Sequence, residues 1–403
     1  MIYFDYSATT PLDPKVLKSM TPYFSKDFFN PASIHSAGQK ALKAVEDARY
    51  KIARLIGSRG SEIVFTSGAT EANNLALRGL LEGALSKGDK RKHIISTSIE
   101  HSSILEPLND LKKKGYKVDL LPVDKNGLVS LSVLEKAITE DTILISIGYV
   151  NSEVGSIQPL NRFGRLIKKL NSHRYETWLK LSTRKRGDKP RPMYFHSDAT
   201  QAFNVIDCDI NKLHLDLMSL SGHKLYGPKG VGLLFVRRGT ILKPQQLGGH
   251  QERNLRSGTL NVPAIVGLAQ AMIIAQKNRV TFNNKISKLR DTFIKSLLKL
   301  EPSLMITVKS FALSAMHANI IFPKVQGDAL LSALDEKGIA VSAGSACASG
   351  DLEASHVLVA LGYEKSLAQS ALRFTFGRIT NIKEVNQAVK IVSLAYRACL
   401  RRG

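Results

Sequence analysis

Lys224, Asp198 and Cys347 are the residues whose types and settings most constrain the chemistry of this chain. Lys224 stands in Ser221-Gly222-His223-Lys224, after the strand-like run Leu217-Met218-Ser219-Leu220 and before the turn Tyr226-Gly227-Pro228-Lys229-Gly230. An amine fixed at a strand's end beside a serine and a histidine suits Schiff-base chemistry with a carbonyl cofactor. Asp198 opens Asp198-Ala199-Thr200-Gln201, after the strand-like Met193-Tyr194-Phe195-His196. A carboxylate in that place can pair with a protonated pyridine nitrogen and keep the ring an electron sink; taken alone, it also reads as a helix cap. Cys347 lies in Ala343-Gly344-Ser345-Ala346-Cys347-Ala348-Ser349-Gly350, where small neighbours point to an accessible loop. Only roughly a tenth or less of an ordinary thiol is thiolate near neutral pH, so such a nucleophile needs a nearby cation. Cys208 and Cys399 lack these surroundings and read as structural.

A fourth feature, Thr66-Ser67-Gly68-Ala69-Thr70-Glu71, falls between the strand Ile63-Val64-Phe65 and a helix from Ala72 onward. Open backbone N–H groups at a helix N-terminus favour a phosphate, and Thr70 adds a hydroxyl donor; an ordinary capping turn is the plain alternative. There is no dinucleotide glycine fingerprint. The stretch from Gly222 to Lys229 only approaches a P-loop, because Pro228 intrudes and Gly230 replaces the Ser/Thr. A nucleotide is therefore not the leading ligand.

Positioning these residues requires alternating strands and helices. Residues 62–66, 93–97, 117–122, 143–149, 193–196 and 232–236 read as strands. Residues 36–56, 71–85, 105–114, 132–137 and 160–170 read as helices. This rhythm predicts an α/β fold with a mainly parallel central sheet flanked by helices, its ligand at the strands' carboxyl ends. Near Asn261-Val262-Pro263 it gives way to a long helical stretch, 264–300, and a smaller α+β segment. The expected division is a large domain over 13–261, with 1–12 and 262–403 forming a small domain that carries the cysteine loop. Residues 172–192 break the pattern. They carry the single tryptophan, Trp178, and a dense basic set, and read as a surface insertion.

Composition narrows the class further. The 403 residues are 43% hydrophobic and 23% charged, as in a soluble globular protein, and the length suits two domains or one large domain with an appendage. No apolar run is long enough for a bilayer, and the N-terminus lacks signal-peptide regions. Three cysteines form neither a disulfide framework nor a metal knuckle, so a reduced cytoplasmic protein without a resident metal is expected. The net charge of +23 favours anionic partners, with clusters at 87–92, 112–114 and 184–186. No RNA- or DNA-binding signature accompanies them, so nucleic-acid binding is not expected as the primary function.

Taken together the motifs resemble the pyridoxal-phosphate-dependent cysteine desulfurases of the NifS and IscS type, within the class V aminotransferase superfamily. The similarity runs from Asp5-Tyr6-Ser7-Ala8-Thr9-Thr10 to Arg373-Phe374-Thr375-Phe376-Gly377-Arg378. Between them lie Asn30-Pro31-Ala32-Ser33, Glu100-His101, Arg256-Ser257-Gly258-Thr259 and the segments above. The resemblance implies that Lys224 carries the cofactor and moves protons, and that His101 stacks on its ring and assists acid–base steps. It gives Asp198 the pyridine nitrogen, Gln201 the phenolic oxygen, and Thr70, Ser221 and His223 the phosphate. Ala69, Asn151 and Ser152 complete the cofactor contacts. Thr259 would reach the phosphate of a neighbouring subunit, implying a homodimer. Arg373, with Asn30, would bind the substrate, its fork clamping the carboxylate. Cys347 would take sulfur from L-cysteine as a persulfide, release alanine, and pass sulfur to acceptor proteins such as an iron–sulfur scaffold or a tRNA- or cofactor-thiolation relay. No metal follows beyond a transient iron–sulfur contact through Cys347. Two departures stand out: Ser152 where the family commonly has asparagine, and the 172–192 insertion. The alternatives are a selenocysteine lyase, a class V aminotransferase, or a non-catalytic basic protein for sulfur relay or RNA docking.

Overall fold

The computed structural model describes residues 1–181, 189–344 and 354–401; Cys347 and the basic run Arg184-Lys185-Arg186 lie outside the described residues. A seven-stranded sheet dominates, built from β1 (Ile63–Thr66), β2 (His93–Thr97), β3 (Lys117–Leu121), β4 (Thr142–Ser146), β5 (Tyr194–Asp198), β6 (Leu217–Ser221) and β7 (Gly232–Val236). Their spatial order is β1-β7-β6-β5-β4-β2-β3. β7 alone runs antiparallel to its two neighbours, and the other pairs are parallel. This is the α/β layered fold expected from the sequence.

The strands are apolar on both faces because helices cover both. Along them, alternate residues enter different cores, as the twofold period of a strand requires. Phe65, Ile95, Ile145, Phe195 and Met218 face the core that holds the helices Ser36–Ile56 and Val262–Leu300. Val64, Ile94, Leu144, Tyr194 and Leu217 face the opposite core with Leu77, Leu80, Ile104 and Leu108. The edge strand β3 differs, with Lys117 and Leu120 exposed.

Beyond the 39-residue helix Val262–Leu300, a second sheet follows in the order Ser342–Ala343, Ala371–Thr375, His317–Ile321, Met305–Ile306, all antiparallel. The chain start joins this part: Ile2–Tyr3 pairs with Ile339–Ala340, and Asp5 bridges Thr375. Phe4 packs against Phe293 and Phe376 at ring-centroid distances of 5.8 and 4.8 Å.

Three expectations change. Helix Leu160–Lys180 runs ten residues past its expected end at 170, so the insertion begins as helix rather than loop. Residues 171–180 contain neither glycine nor proline, so nothing in them stops a helix already under way. The expected single helix 71–85 begins at Ala69 and contains a π-helical stretch, Leu75–Gly79. The strands near the site shift too: β4 ends at Ser146, and β5 extends to Asp198, so that residue ends its strand instead of following it.

Candidate active site

The carboxyl ends of the parallel strands open into a cavity of about 730 Å³. The strand end at β6 passes directly into a short turn, Gly222–Lys224, which holds Lys224 against the wall. The Lys224 Nζ donates to the Ser7 and Ala8 carbonyls, each at 2.6 Å. Burial and the neighbouring Arg373 push the ammonium down to about 8, against the opposing pull of Asp5 and Asp198. An amine in that range is far more often neutral near physiological pH than an exposed lysine.

Asp198, at the end of β5, accepts the Thr200 N–H on Oδ1 at 2.9 Å and the Asn73 amide on Oδ2 at 2.8 Å. The same Asn73 nitrogen donates to Ser103 Oγ at 2.9 Å, and that hydroxyl meets His101 Nδ1 at 2.9 Å. His101 is the N-cap of the helix Ser102–Lys113, and its Nδ1 accepts the Ser103 N–H at 3.1 Å. With Nδ1 an acceptor, the neutral ring carries its proton on Nε2. Burial holds the imidazole below its ordinary value, with Lys224 and His356 opposing its charge and Asp198 favouring it. A hydrogen-bonded chain thus fixes the ring's orientation from Asp198.

The expected phosphate cradle also lines the cavity. Ala69 and Thr70 begin a helical run at Gly68, and Ser221 and His223 face it. A Cβ on Gly232 would lie 2.7 Å from the Gly68 backbone, so only glycine in β7 lets the turn approach the sheet this closely. His223 is driven down to about 4 by burial and by Lys224 and Lys229, leaving it a neutral hydrogen-bonding group; its Nδ1 lies 3.2 Å from Thr9 Oγ1. Glu71 stays below its ordinary value although burial opposes it, because Arg256 and the Ser67 N–H bind its carboxylate.

Arg373 reaches the cavity from the second sheet. Its Nη2 pairs with Asp5 at 2.8 Å and its Nη1 donates to the Ser152 carbonyl at 3.1 Å. Its Nε is buried with no partner among the described residues. Gln201 lines the wall and donates to the Ser7 carbonyl at 2.9 Å.

Some expected residues behave differently. Asn151 and Ser152 line the cavity, yet the Asn151 side chain is committed to the backbone: it donates to Ile99 and accepts from Glu153 and Val154. These bonds shape the loop and occupy the Asn151 carbonyl oxygen and one of its two N–H groups, leaving one donor over. Asn30 lies outside the cavity, exposed, its Oδ1 accepting the Ala32 N–H at 2.9 Å. Thr259 is also exposed and outside the cavity of its own chain. Cys347 falls outside the described residues. On either side of its stretch, Ser342, Ala343 and Gly344 line the cavity, and Ser355 donates to Glu153 Oε1 at 2.6 Å.

Other cavity residues went without a role in the sequence reading. The carbonyls of Ser7 and Ala8 belong to a segment 217 and 216 residues from Lys224, and no local spacing announces the contact. Glu100 is buried, accepts from Gly148 N–H and Thr97 Oγ1 at 2.9 and 2.7 Å, and is raised by burial to about 7. Asn73, buried behind the cavity wall, was also missed; its signal was present only as a polar residue on the apolar side of a helix.

The aminotransferase class-V family model matches residues 2–173 and 185–388. The chain belongs to the class-V aminotransferase family. It is 41% identical to a mitosomal cysteine desulfurase of Trachipleistophora hominis, over 98% of this chain and 86% of that protein. It is 41% identical to the cysteine desulfurase IscS of Rickettsia bellii, over 97% of this chain and 90% of that one. Among solved structures, a NifS-like protein superposes with a TM-score of 0.87 at 36% identity, covering 98% of this chain and 99% of that one. The residues that the family model skips, 174–184, fall within the insertion.

Proposed function

We propose that this chain is a pyridoxal-phosphate-dependent cysteine desulfurase that converts L-cysteine to L-alanine and retains the sulfur as a persulfide on Cys347. The observation that carries the reading is the meeting of Lys224, Asp198, His101 and Arg373 in one cavity, in a chain alignable over nearly its whole length with cysteine desulfurases.

The residues present fit the cofactor. The cavity has an amine of lowered basicity, a carboxylate fixed by two donors, a small-residue helix start, and a buried Thr200 hydroxyl with no partner among the described residues. Lys224 would hold the aldehyde carbon, Asp198 the ring nitrogen, Thr70, Ser221 and His223 the phosphate, and Gln201 the phenolic oxygen. When bound, pyridoxal phosphate supplies an electron sink for charge that develops on the substrate carbons.

The chain's own groups do the rest. Arg373, pre-oriented by Asp5 and the Ser152 carbonyl, receives the substrate carboxylate. Lys224, near the midpoint of its titration around pH 8, can take and return a proton at the substrate carbon. The neutral His101 presents Nε2–H as a donor, its ring held by Ser103. The Cys347 thiolate attacks the cysteine sulfur. The sulfur–sulfur bond forms as the carbon–sulfur bond breaks, its electron pair goes to carbon, and a proton completes the methyl group of alanine. No external oxidant is needed.

Finer assignments belong to the same proposal. The enzyme is a homodimer in which Thr259 reaches the partner's cofactor phosphate, and its persulfide serves an iron–sulfur scaffold or a thiolation relay. Residues 13–261 act as the cofactor domain, with 1–12 and 262–403 as the small domain. It works in a reducing aqueous compartment, the cytoplasm in the first instance; no helix of the described residues is long and apolar enough to cross a membrane. The test is mass spectrometry of the cofactor-loaded protein after brief exposure to L-cysteine. The peptide holding Cys347 should gain the mass of one sulfur atom, removable by dithiothreitol. An unmodified Cys347 alongside continuing alanine formation would overturn the persulfide role.

A further inference from the structure

Two basic stretches that stand apart in the sequence, 87–92 and 112–117, meet residues 189–192 at one edge of the large sheet. β2 and β3 pair in parallel from His93 and Lys117 onward, and the Lys117 N–H donates to the Lys92 carbonyl at 2.8 Å. That sets residues 87–92 beside 112–117. Arg191 Nη2 donates to the Lys87 carbonyl at 2.5 Å and Arg91 Nη2 to the Pro192 carbonyl at 2.9 Å, which joins the end of the insertion to the same surface. Lys189 Nζ lies 4.9 Å from the Tyr175 ring on the extended helix Leu160–Lys180, and that ring stacks on Trp178.

The surface carries uncompensated charge. Lys87, Lys90, Lys92, Lys112, Lys113 and Lys189 are all exposed. Among the described residues the ion pairs nearby are Arg91–Asp89, Lys114–Asp110, Lys117–Asp119 and Arg174–Glu140, and they engage none of those six lysines. The edge lies at the amino ends of β2 and β3, whereas the cavity residues Thr97, Glu100 and His101 lie at or just beyond the carboxyl end of β2. A ligand here would leave the catalytic cavity open. Part of the surface is this chain's own addition, because the family match skips 174–184.

We infer that this edge binds the phosphate backbone of single-stranded RNA. Its composition favours a nucleic acid over an acidic protein. Protein interfaces enrich arginine and exposed aromatic anchors and are depleted in lysine. Here the available cations are lysines, while Arg91 and Arg191 already bond backbone carbonyls. The aromatic rings hold ammonium groups: Lys189 over Tyr175, and Lys92 at 6.0 Å over Tyr116. Flexible ammonium groups suit irregularly spaced phosphates and give recognition that depends on charge, not sequence.

The experiment is fluorescence anisotropy of a labelled single-stranded oligouridylate with the cofactor-loaded enzyme, titrated across salt concentrations. Binding should weaken steeply with salt. The triple variant K90A/K112A/K113A should bind at least about tenfold more weakly and lower the salt slope by about 2, with cysteine turnover unchanged. A control triple on the long helix, K288A/K295A/K299A, removes the same charge from other exposed lysines and should leave RNA binding nearly intact. Equal losses in both triples would overturn the assignment, leaving only the diffuse +23 charge. So would absence of RNA binding at low salt, or polyglutamate binding at this edge where RNA does not bind.

Discussion

At the residue scale, the lowered basicity of Lys224 has a definite pH consequence. In the fold the amine is half neutral at about 8, against an ordinary 10.5, because burial and Arg373 disfavour its charge. The neutral form is the one that attacks an aldehyde. Uptake of pyridoxal phosphate by the apoenzyme should therefore accelerate about tenfold per pH unit below the midpoint and level off above it. Stopped-flow absorbance, with borohydride trapping to place the label on Lys224, measures this; a rise continuing to the pKa of a free lysine would contradict it. Lys224 and Asp198 stood out because their motifs suit a particular chemistry, whereas His101 and Arg373 were picked out only by the family resemblance; all four line the cavity. The Ser7 and Ala8 carbonyls and the Asp198–Asn73–Ser103–His101 chain were not legible, since they join segments far apart in sequence. Asn151 shows a further limit: its type suits ligand binding, but sequence does not announce that the loop takes its carbonyl oxygen and one of its two N–H groups.

At the element scale, one buried ion pair holds the cradle's supports together. Arg49, on helix Ser36–Ile56, pairs with Glu252 through Nη2–Oε1 at 2.6 Å and Nη1–Oε2 at 2.9 Å. Glu252 also accepts the Phe65 N–H of β1 at 2.8 Å. The pair thus clamps a helix, the strand leading to the phosphate turn, and the loop before Arg256-Ser257-Gly258-Thr259. That loop stores backbone strain, with positive φ at His250, Glu252, Arg253 and Asn254. Glu252→Ala leaves the buried Arg49 guanidinium with only the exposed Glu46 carboxylate at Nε and the Ile63 carbonyl at Nη1, and should cost about 3–5 kcal/mol in urea unfolding. A loss below about 1 kcal/mol would show that the clamp is dispensable. Strand and helix order were legible from periodicity, to within a few residues at most ends. The prolonged helix Leu160–Lys180 was not, because a polar continuation without a breaker looks like loop in sequence and is held as helix by what precedes it.

At the scale of the whole molecule, the two sheets contribute different halves of the site. The seven-stranded sheet presents Lys224, Asp198 and His101, and the second sheet presents Arg373 at register with Asn319 and Ser342. The N-terminal segment closes the ring by touching both, through Ser7 and Asp5. The α/β class was legible from strand–helix alternation. Residues 1–12 were expected with the C-terminal segment through the resemblance, but the pairing of 2–3 with 339–340 and of Asp5 with Thr375 was not, since two-residue strands carry almost no periodic signal. The central claim joins this architecture to one reaction. Its most direct measurement is the production of alanine and sulfide from L-cysteine, with a thiol reductant, by the intact enzyme and by Cys347→Ser. The account predicts equal amounts of both products from the intact enzyme. It predicts neither from Cys347→Ser, although that variant keeps the absorbance of bound cofactor. Unchanged product formation by Cys347→Ser, or no alanine from the intact enzyme, would contradict it.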